Sequence, residues 1–209
     1  MSEFSKDFQS QLADLMRWRR DVRRFRTDPV DEAVLTRCLD AFHMAPSVGL
    51  SEPWQVVSVE SAAARDATRA NFEAANADAL AGYDGERAQI YGTLKLSGMR
   101  DAPVQLAIYC DEDTDKGARL GAGTMPEMRR YSVVGAVTHF WLAARAEGLG
   151  AGWVSILDPV RLARDLDVPE GWALVAYLCV GWPEADSLTP ELETAGWETR
   201  TAPPAPLRR

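Results

Sequence analysis

"YSVVGAVTHFWLAA", residues 131–144, carries no acidic, lysine or arginine side chain, and its reading decides the fold. It is shorter than the roughly 20 residues a membrane span requires, and it contains Ser, Thr and His. It therefore reads as a core helix, apolar nearly all round. "APVQLAIYC" (102–110) precedes it, and "GLGAGWVSIL" (148–157) follows through a glycine turn. Both have the apolar run of a buried strand. "WQVVSVE" (54–60) and "ALVAYLCVGWP" (173–183) supply two more strands, favoured by β-branched content. Strands separated by helices, with one helix apolar on most sides, indicate an α+β or α/β layer fold whose sheet packs on a central helix.

The remaining elements follow from caps and breakers. Asp28-Pro29 reads as a helix start, with Asp31 and Glu32 near the positive end of the dipole. Val34, Leu35, Cys38, Leu39 and Phe42 recur at helical spacing until Pro46. "APSVGLSEPW" (45–54) is then a Pro-, Gly- and Ser-rich loop. Ser61 caps an alanine-rich helix running to about Gly82, and a second helical stretch spans Glu86 to about Met99. Asp111–Gly123 is polar and glycine-rich and reads as a mobile loop, and Asp158-Pro159 starts another helix.

At 209 residues and 46% hydrophobic content the chain is sized for one domain, residues 1–209, with a core over 16–200 and a Pro-rich tail, "TAPPAPLRR", at 201–209. A net charge of −8 argues against a general nucleic-acid binder. Cys38, Cys110 and Cys179 are odd in number and set in apolar segments, which suggests buried free thiols in a reducing cytoplasm. "MSEFSKDFQS" has no apolar run of signal-peptide type, and no metal-ligand spacing occurs. His43 and His139 read as hydrogen-bonded helical histidines. G-x-S-x-G, G-x-G-x-x-G and the P-loop pattern are all absent.

Three segments carry chemistry. "RRDVRRF" (19–25) sets four arginines around Asp21, offering guanidinium forks suited to phosphate or a polar ring edge; its plainer reading is a solvated helix end. "PSVGLSEPW" offers amides and hydroxyls, or simply turns. "GLGAGWVSIL" has glycines that admit close backbone approach to a ligand, or only to a packing neighbour.

Taken in order, the three resemble the flavin-binding signature of the nitroreductase superfamily over about Met16 to Arg200. Within it, "RRDVRRF", "TMPEMRRYSVV", "LAARAEGLGAGWVSILDP" and "ELETAGWETR" are similar to the 5,6-dimethylbenzimidazole synthase branch. The resemblance implies a mostly antiparallel sheet around a buried central helix, in an intertwined homodimer with FMN at two interfacial sites. It implies that Arg19, Arg20 and Arg23 grip the phosphate and pyrimidine side of FMN, with Arg200 completing the phosphate site. Ser47 and Ser51 then line the flavin, and Met99, Trp153 and Val154 pack on its ring. Glu52 stands where many relatives carry Gln.

The implied reaction consumes reduced FMN and O2 and releases dimethylbenzimidazole and erythrose 4-phosphate, with a separate NAD(P)H-flavin reductase supplying the reduced flavin. Asp21 and Ser155 are the implied catalytic pair, Asp21 kept ionised by its arginines. Residues 111–123 with "TMPEMRR" are the implied lid. An NAD(P)H-dependent nitroreductase or flavin reductase, and a flavin-binding module without turnover, share the socket. Conventional members more often have a small polar residue at the position of Asp21.

Overall fold

The computed structural model describes residues 3–94 and 97–209. It opens with a helix the caps above did not announce, α1 (Lys6–Trp18), in which the Ser5 hydroxyl accepts the Phe8 N–H at 3.2 Å. Phe4, Phe8, Leu12 and Met16 recur every four residues on one side of it and remain exposed. α2 (Glu32–Asp40) starts later than expected. Asp31, not Asp28, is its cap and accepts the Ala33 N–H at 2.7 Å. The Asp28 carboxylate accepts from Arg26 Nε at 2.9 Å, and Pro29 lies ahead of the helix with its carbonyl accepting the Trp182 indole N–H at 3.2 Å.

Two short 3-10 turns, Ala41–Met44 and Val48–Leu50, carry the chain past Pro46 into β1 (Trp54–Ser58). α3 (Ala62–Ala81) begins and ends where Ser61 and Gly82 predict, the Ser61 hydroxyl accepting the Ala64 N–H at 3.1 Å. The stretch from Glu86 to Met99 is two pieces, α4 (Gly85–Thr93) and α5 (Gly98–Asp101); residues 95–96 of that expected helix lie outside the described residues. β2 (Val104–Asp111) leads through turns to α6 (Met128–Ala146), then β3 (Gly150–Val154) and α7 (Pro159–Asp165). The Asp158 carboxylate caps α7, accepting the Val160 and Arg161 N–H groups at 2.9 and 3.0 Å. β4 (Trp172–Gly181) and α8 (Glu191–Thr194) follow, and residues 201–209 are exposed without regular structure.

The sheet order is β1-β2-β4-β3, with every pairing antiparallel. Period-two alternation splits β2 between two cores. Leu106, Ile108 and Cys110 pack with Val133, Ala136, Val137 and Phe140 of α6 and Cys38 of α2. Ala107 and Tyr109 face the opposite layer, with Met99 of α5 and Leu162 of α7. All three cysteines are free and buried.

α6 is thus central, but it is not buried all round. Within one chain the sheet, α1, α2 and the two 3-10 turns pack against it, and Tyr131, Val134 and Thr138 stay exposed. No helix among the described residues is long and apolar enough to cross a membrane.

Candidate functional site

Residues 21–25 leave α1 in extended form and run beside β3. The Val22 N–H donates to the Ala151 carbonyl at 3.1 Å, and Asp21 bridges to Ala151 in parallel sense. Two glycines make this approach possible. A Cβ on Gly150 would lie 2.6 Å from Val22 Cγ2, and one on Gly152 would overlap the Val22 carbonyl oxygen. The glycines of "GLGAGWVSIL" therefore admit the arginine segment itself. The two motifs form one structural unit although well over a hundred residues separate them.

That docking aims the side chains. Asp21 Oδ1 accepts the Trp153 N–H at 2.8 Å, and Oδ2 lies 3.6 Å from Arg23 Nε. Asp21 and Arg23 line an apolar slot with Met99, Trp153 and Val154, so the three expected ring-packing residues do converge there. On its other side Asp21 faces a cleft of about 250 Å³, whose walls are Arg20, Arg23 and Arg24 and, opposite, the segment from Glu184 to Thr194. Arg24 holds Glu191 at 2.9 Å, and Arg20 Nε donates to the Leu188 carbonyl at 3.0 Å.

Arg19 turns the other way. Its guanidinium lies 4.8 Å above the Trp141 ring, and Trp141 in turn stands 6.3 Å from Trp153. The pKa of Arg20 is lowered by burial first, then by the charges of Arg200 and Arg19, and Arg200 itself is exposed. No carboxylate pairs with Arg19, Arg20 or Arg200 among the described residues. Asp21 feels the charge of Arg19 without forming an ion pair with it.

The pKa of Asp21 moves against expectation. It is raised, because removal from bulk water outweighs the lowering by the Trp153 N–H, by Arg23 and by Arg19, and Glu191 raises it further. Its side chain is 39% exposed, which locates the carboxylate at the accessible floor of a concave site rather than in the core. A carboxylate in such surroundings is a better base than a surface aspartate.

Ser47 and Ser51 lie elsewhere. Their loop is fixed to the start of α6, where the Val48 N–H donates to Ser132 Oγ at 3.0 Å. Trp141, beside Arg19, is nine residues further along the helix, which separates the two groups by about 13 Å at 1.5 Å per residue. Ser47 Oγ accepts the Glu52 N–H at 3.0 Å, whereas Ser51 Oγ is buried with no hydrogen-bond partner. The Asp111–Gly123 segment is a run of turns packed on this loop. A Cβ on Gly117 would sit 2.5 Å from the Gly49 carbonyl oxygen, and Lys116 pairs with Glu52. That pair lowers the Glu52 pKa.

Ser155 sits just beyond β3, two residues past Trp153, and is exposed. Of the residues anticipated from sequence, Asp21, Arg23, Met99, Trp153 and Val154 meet in the slot and Arg20 joins Asp21 and Arg23 in the adjoining cleft, with Arg19 on Trp141 behind them; Ser47 and Ser51 do not join them in this chain. Trp141 and Glu191 went unrecognised. Trp141 sits in the stretch read as core, and nothing local distinguishes Glu191 from its acidic neighbours. No group of three or more metal-binding side chains occurs among the described residues.

The nitroreductase family profile matches residues 16–182. The chain is 52% identical to a 5,6-dimethylbenzimidazole synthase of Rhodospirillum rubrum over 205 residues, covering 98% of this chain and 97% of that protein. It is 48% identical to a protein of the same name from Rhodobacter capsulatus, covering 93% and 94% of the two chains. Among solved structures, oxidised iodotyrosine deiodinase bound to FMN and 3-iodo-L-tyrosine superposes with a TM-score of 0.74 at 21% identity, over 94% of this chain and 97% of that one.

Proposed function

Since this chain belongs to the nitroreductase family, we propose that it is a 5,6-dimethylbenzimidazole synthase, which takes reduced FMN and O2 to dimethylbenzimidazole and erythrose 4-phosphate for the lower ligand of cobalamin. The observation that carries the reading is Asp21, a partly exposed carboxylate fixed by the Trp153 N–H at 2.8 Å on the floor of an arginine-walled cleft. A carboxylate placed there is suited to move a proton, which a site built only to hold a flavin does not need.

The residues present fit FMN. The uncompensated charges of Arg19, Arg20 and Arg200 suit a phosphate, because an anion there relieves their mutual repulsion. The slot of Met99, Trp153 and Val154 suits a flat apolar edge, and Arg23 beside it suits the polar pyrimidine side. Reduced FMN, when bound, supplies the electrons for O2 and the carbon skeleton of the product.

The chain's own residues then bind, shield and move protons. Asp21 accepts a proton or orients a hydroxyl, and Ser155 serves as a hydroxyl donor and acceptor at the edge of the site. Residues 111–123, seated on the serine loop through Gly117 and Lys116, form with the following "TMPEMRR" the lid that excludes water from the site which that loop completes.

The serine loop is supplied by a second copy of the chain. Within one chain Ser47 and Ser51 are held about 13 Å along α6 from the arginine group, and the open faces of α1 and α6 give a homodimer the apolar surface it needs. Ser51 Oγ, buried without a partner, then has a ligand to meet. The enzyme works in the cytoplasm and draws reduced FMN from a separate NAD(P)H-flavin reductase.

Purified protein incubated in air with FMN, NADH and such a reductase is expected to yield dimethylbenzimidazole by mass spectrometry. Rapid bleaching of bound FMN by NADH with no reductase present, and no dimethylbenzimidazole, would instead identify an ordinary nitroreductase.

A further inference from the structure

One aromatic cluster belongs to neither core. Trp197 stands edge-on to Tyr83 at 5.3 Å and 85° and lies 6.2 Å from Tyr91, while Tyr83 and Tyr91 are 5.1 Å apart. The Arg87 guanidinium sits 4.8 Å over the Trp197 ring and donates to the Trp197 carbonyl at 2.6 Å. The Tyr91 hydroxyl donates to Asn76 of α3 at 2.9 Å, which ties the cluster to the rigid part of the fold. Trp197 is thus gripped on its ring face, its ring edge and its backbone by the α3–α4 corner, although it lies on an irregular stretch near the chain end.

What this grip controls follows from the path of the chain. The segment from Glu184 to Thr194 is the outer wall of the Asp21 cleft, fastened at its near end by Arg20 on Leu188 and Arg24 on Glu191. Trp197 fastens its far end. Arg200 lies only three residues further, within a reach of about 10 Å, and residues 201–209 beyond it have no regular structure. A chain end this short, ordered before the ligand arrives, spares binding the entropy of ordering it.

Resting on the FMN reading above, we propose that Trp197, clamped by Arg87, Tyr83 and Tyr91, is a positioning residue: it holds the C-terminal segment across the cleft and so fixes Arg200 for the FMN phosphate. The clamp acts on the phosphate end of the ligand and leaves the ring end to the slot behind Asp21.

The test compares FMN with riboflavin, which lacks the phosphate, by fluorescence quenching on the full chain. FMN binding by the wild-type protein is measured first, and its absence would overturn the FMN reading and this inference together. Trp197→Ala is expected to weaken FMN about tenfold, the effect of removing one charge-assisted hydrogen bond, and to leave riboflavin unchanged. Arg200→Ala should do the same, and the double variant should bind no more weakly than either single one, because both remove one coupled interaction. Trp197→Phe should recover most of the affinity. Arg87→Met keeps the aromatic rings while removing the cation and its hydrogen bond, so it gives the same reading should Trp197→Ala fail to fold. Unchanged FMN affinity in folded variants, equal weakening of FMN and riboflavin, or effects that multiply in the double variant would each overturn the clamp.

Discussion

The two loops that resemble flavin-binding segments are built in opposite ways. The arginine segment is completed by its own chain: Val22 is docked on Ala151, Asp21 is held by Trp153, and Gly150 and Gly152 are cut to fit. The serine loop is left incomplete, with Leu50 and Glu52 at positive φ and a buried Ser51 hydroxyl that nothing satisfies. Strained backbone and an orphaned polar atom cost stability, and they persist where a site needs them. The contrast separates a segment seated by its own chain from a loop whose own chain leaves a buried hydroxyl without a partner.

The largest effect should come from Asp21→Asn. Asn keeps the acceptor for the Trp153 N–H, so flavin should still bind and be oxidised, while dimethylbenzimidazole per flavin oxidised falls by about a hundredfold or more. The same change should stabilise the fold at neutral pH. A carboxyl whose folded pKa is raised contributes stability that is full below the ordinary aspartate value of 3.8 and is lost as pH rises through the raised value. Charged Asp21 is therefore a burden at pH 7, and the gap in melting midpoint between variant and wild type should close as the pH is lowered towards 4. An undiminished product yield would reduce Asp21 to a charge balance for the arginines.

Next in size, Arg19→Ala or Arg23→Ala should each remove a charge-assisted interaction of about 1.5–3 kcal/mol, lowering FMN affinity roughly tenfold to a hundredfold. Titration that finds both variants unaltered would remove the phosphate and pyrimidine roles from this half.

Gly152→Ala tests the docking of that half. The new Cβ meets a backbone oxygen that cannot rotate away, so a destabilisation of about 1–3 kcal/mol in denaturant unfolding is expected, together with weakened FMN binding. Wild-type stability would mean that the arginine segment is not seated on β3 in solution.

The smallest and most discriminating change is Ser51→Ala. Without ligand it should leave stability unchanged or raise it by about 1 kcal/mol, because an unsatisfied buried hydroxyl is removed. With saturating FMN the thermal gain should be smaller than in wild type. A destabilised ligand-free variant would show that the hydroxyl is already satisfied within the protein, and the contrast between the halves would fail.

Much of this was legible in the chain because its signals are local. The serine and aspartate caps at Ser61 and Asp158 act within three residues, and strand alternation and the uncharged helix are read in single windows. The motif residues around Asp21 and Trp153 were likewise recognisable as types. Of α1 the chain showed only a possible helix end at the arginines; Phe8, Leu12 and Met16 recur on it every fourth position and stay exposed, although the helix touches α6.

Sequence by itself determined the four strands, the central helix, the capped helices at Ser61 and Asp158, the free cysteines and most residue types of the site, because backbone hydrogen bonding and hydrophobic periodicity are short-range. Tertiary structure decided the rest. Trp182 holds the stretch ahead of α2, its indole N–H donating to the Pro29 carbonyl at 3.2 Å and its carbonyl accepting the Arg26 N–H at 2.9 Å, and the helix starts at Asp31. Desolvation, summed over every atom packed near Asp21, outweighed the adjacent arginines that sequence displays. The interactions that shape the cleft join residues 132 and 167 positions apart, Asp21 to Trp153 and Arg24 to Glu191, and only folding brings such pairs within range of each other's charge.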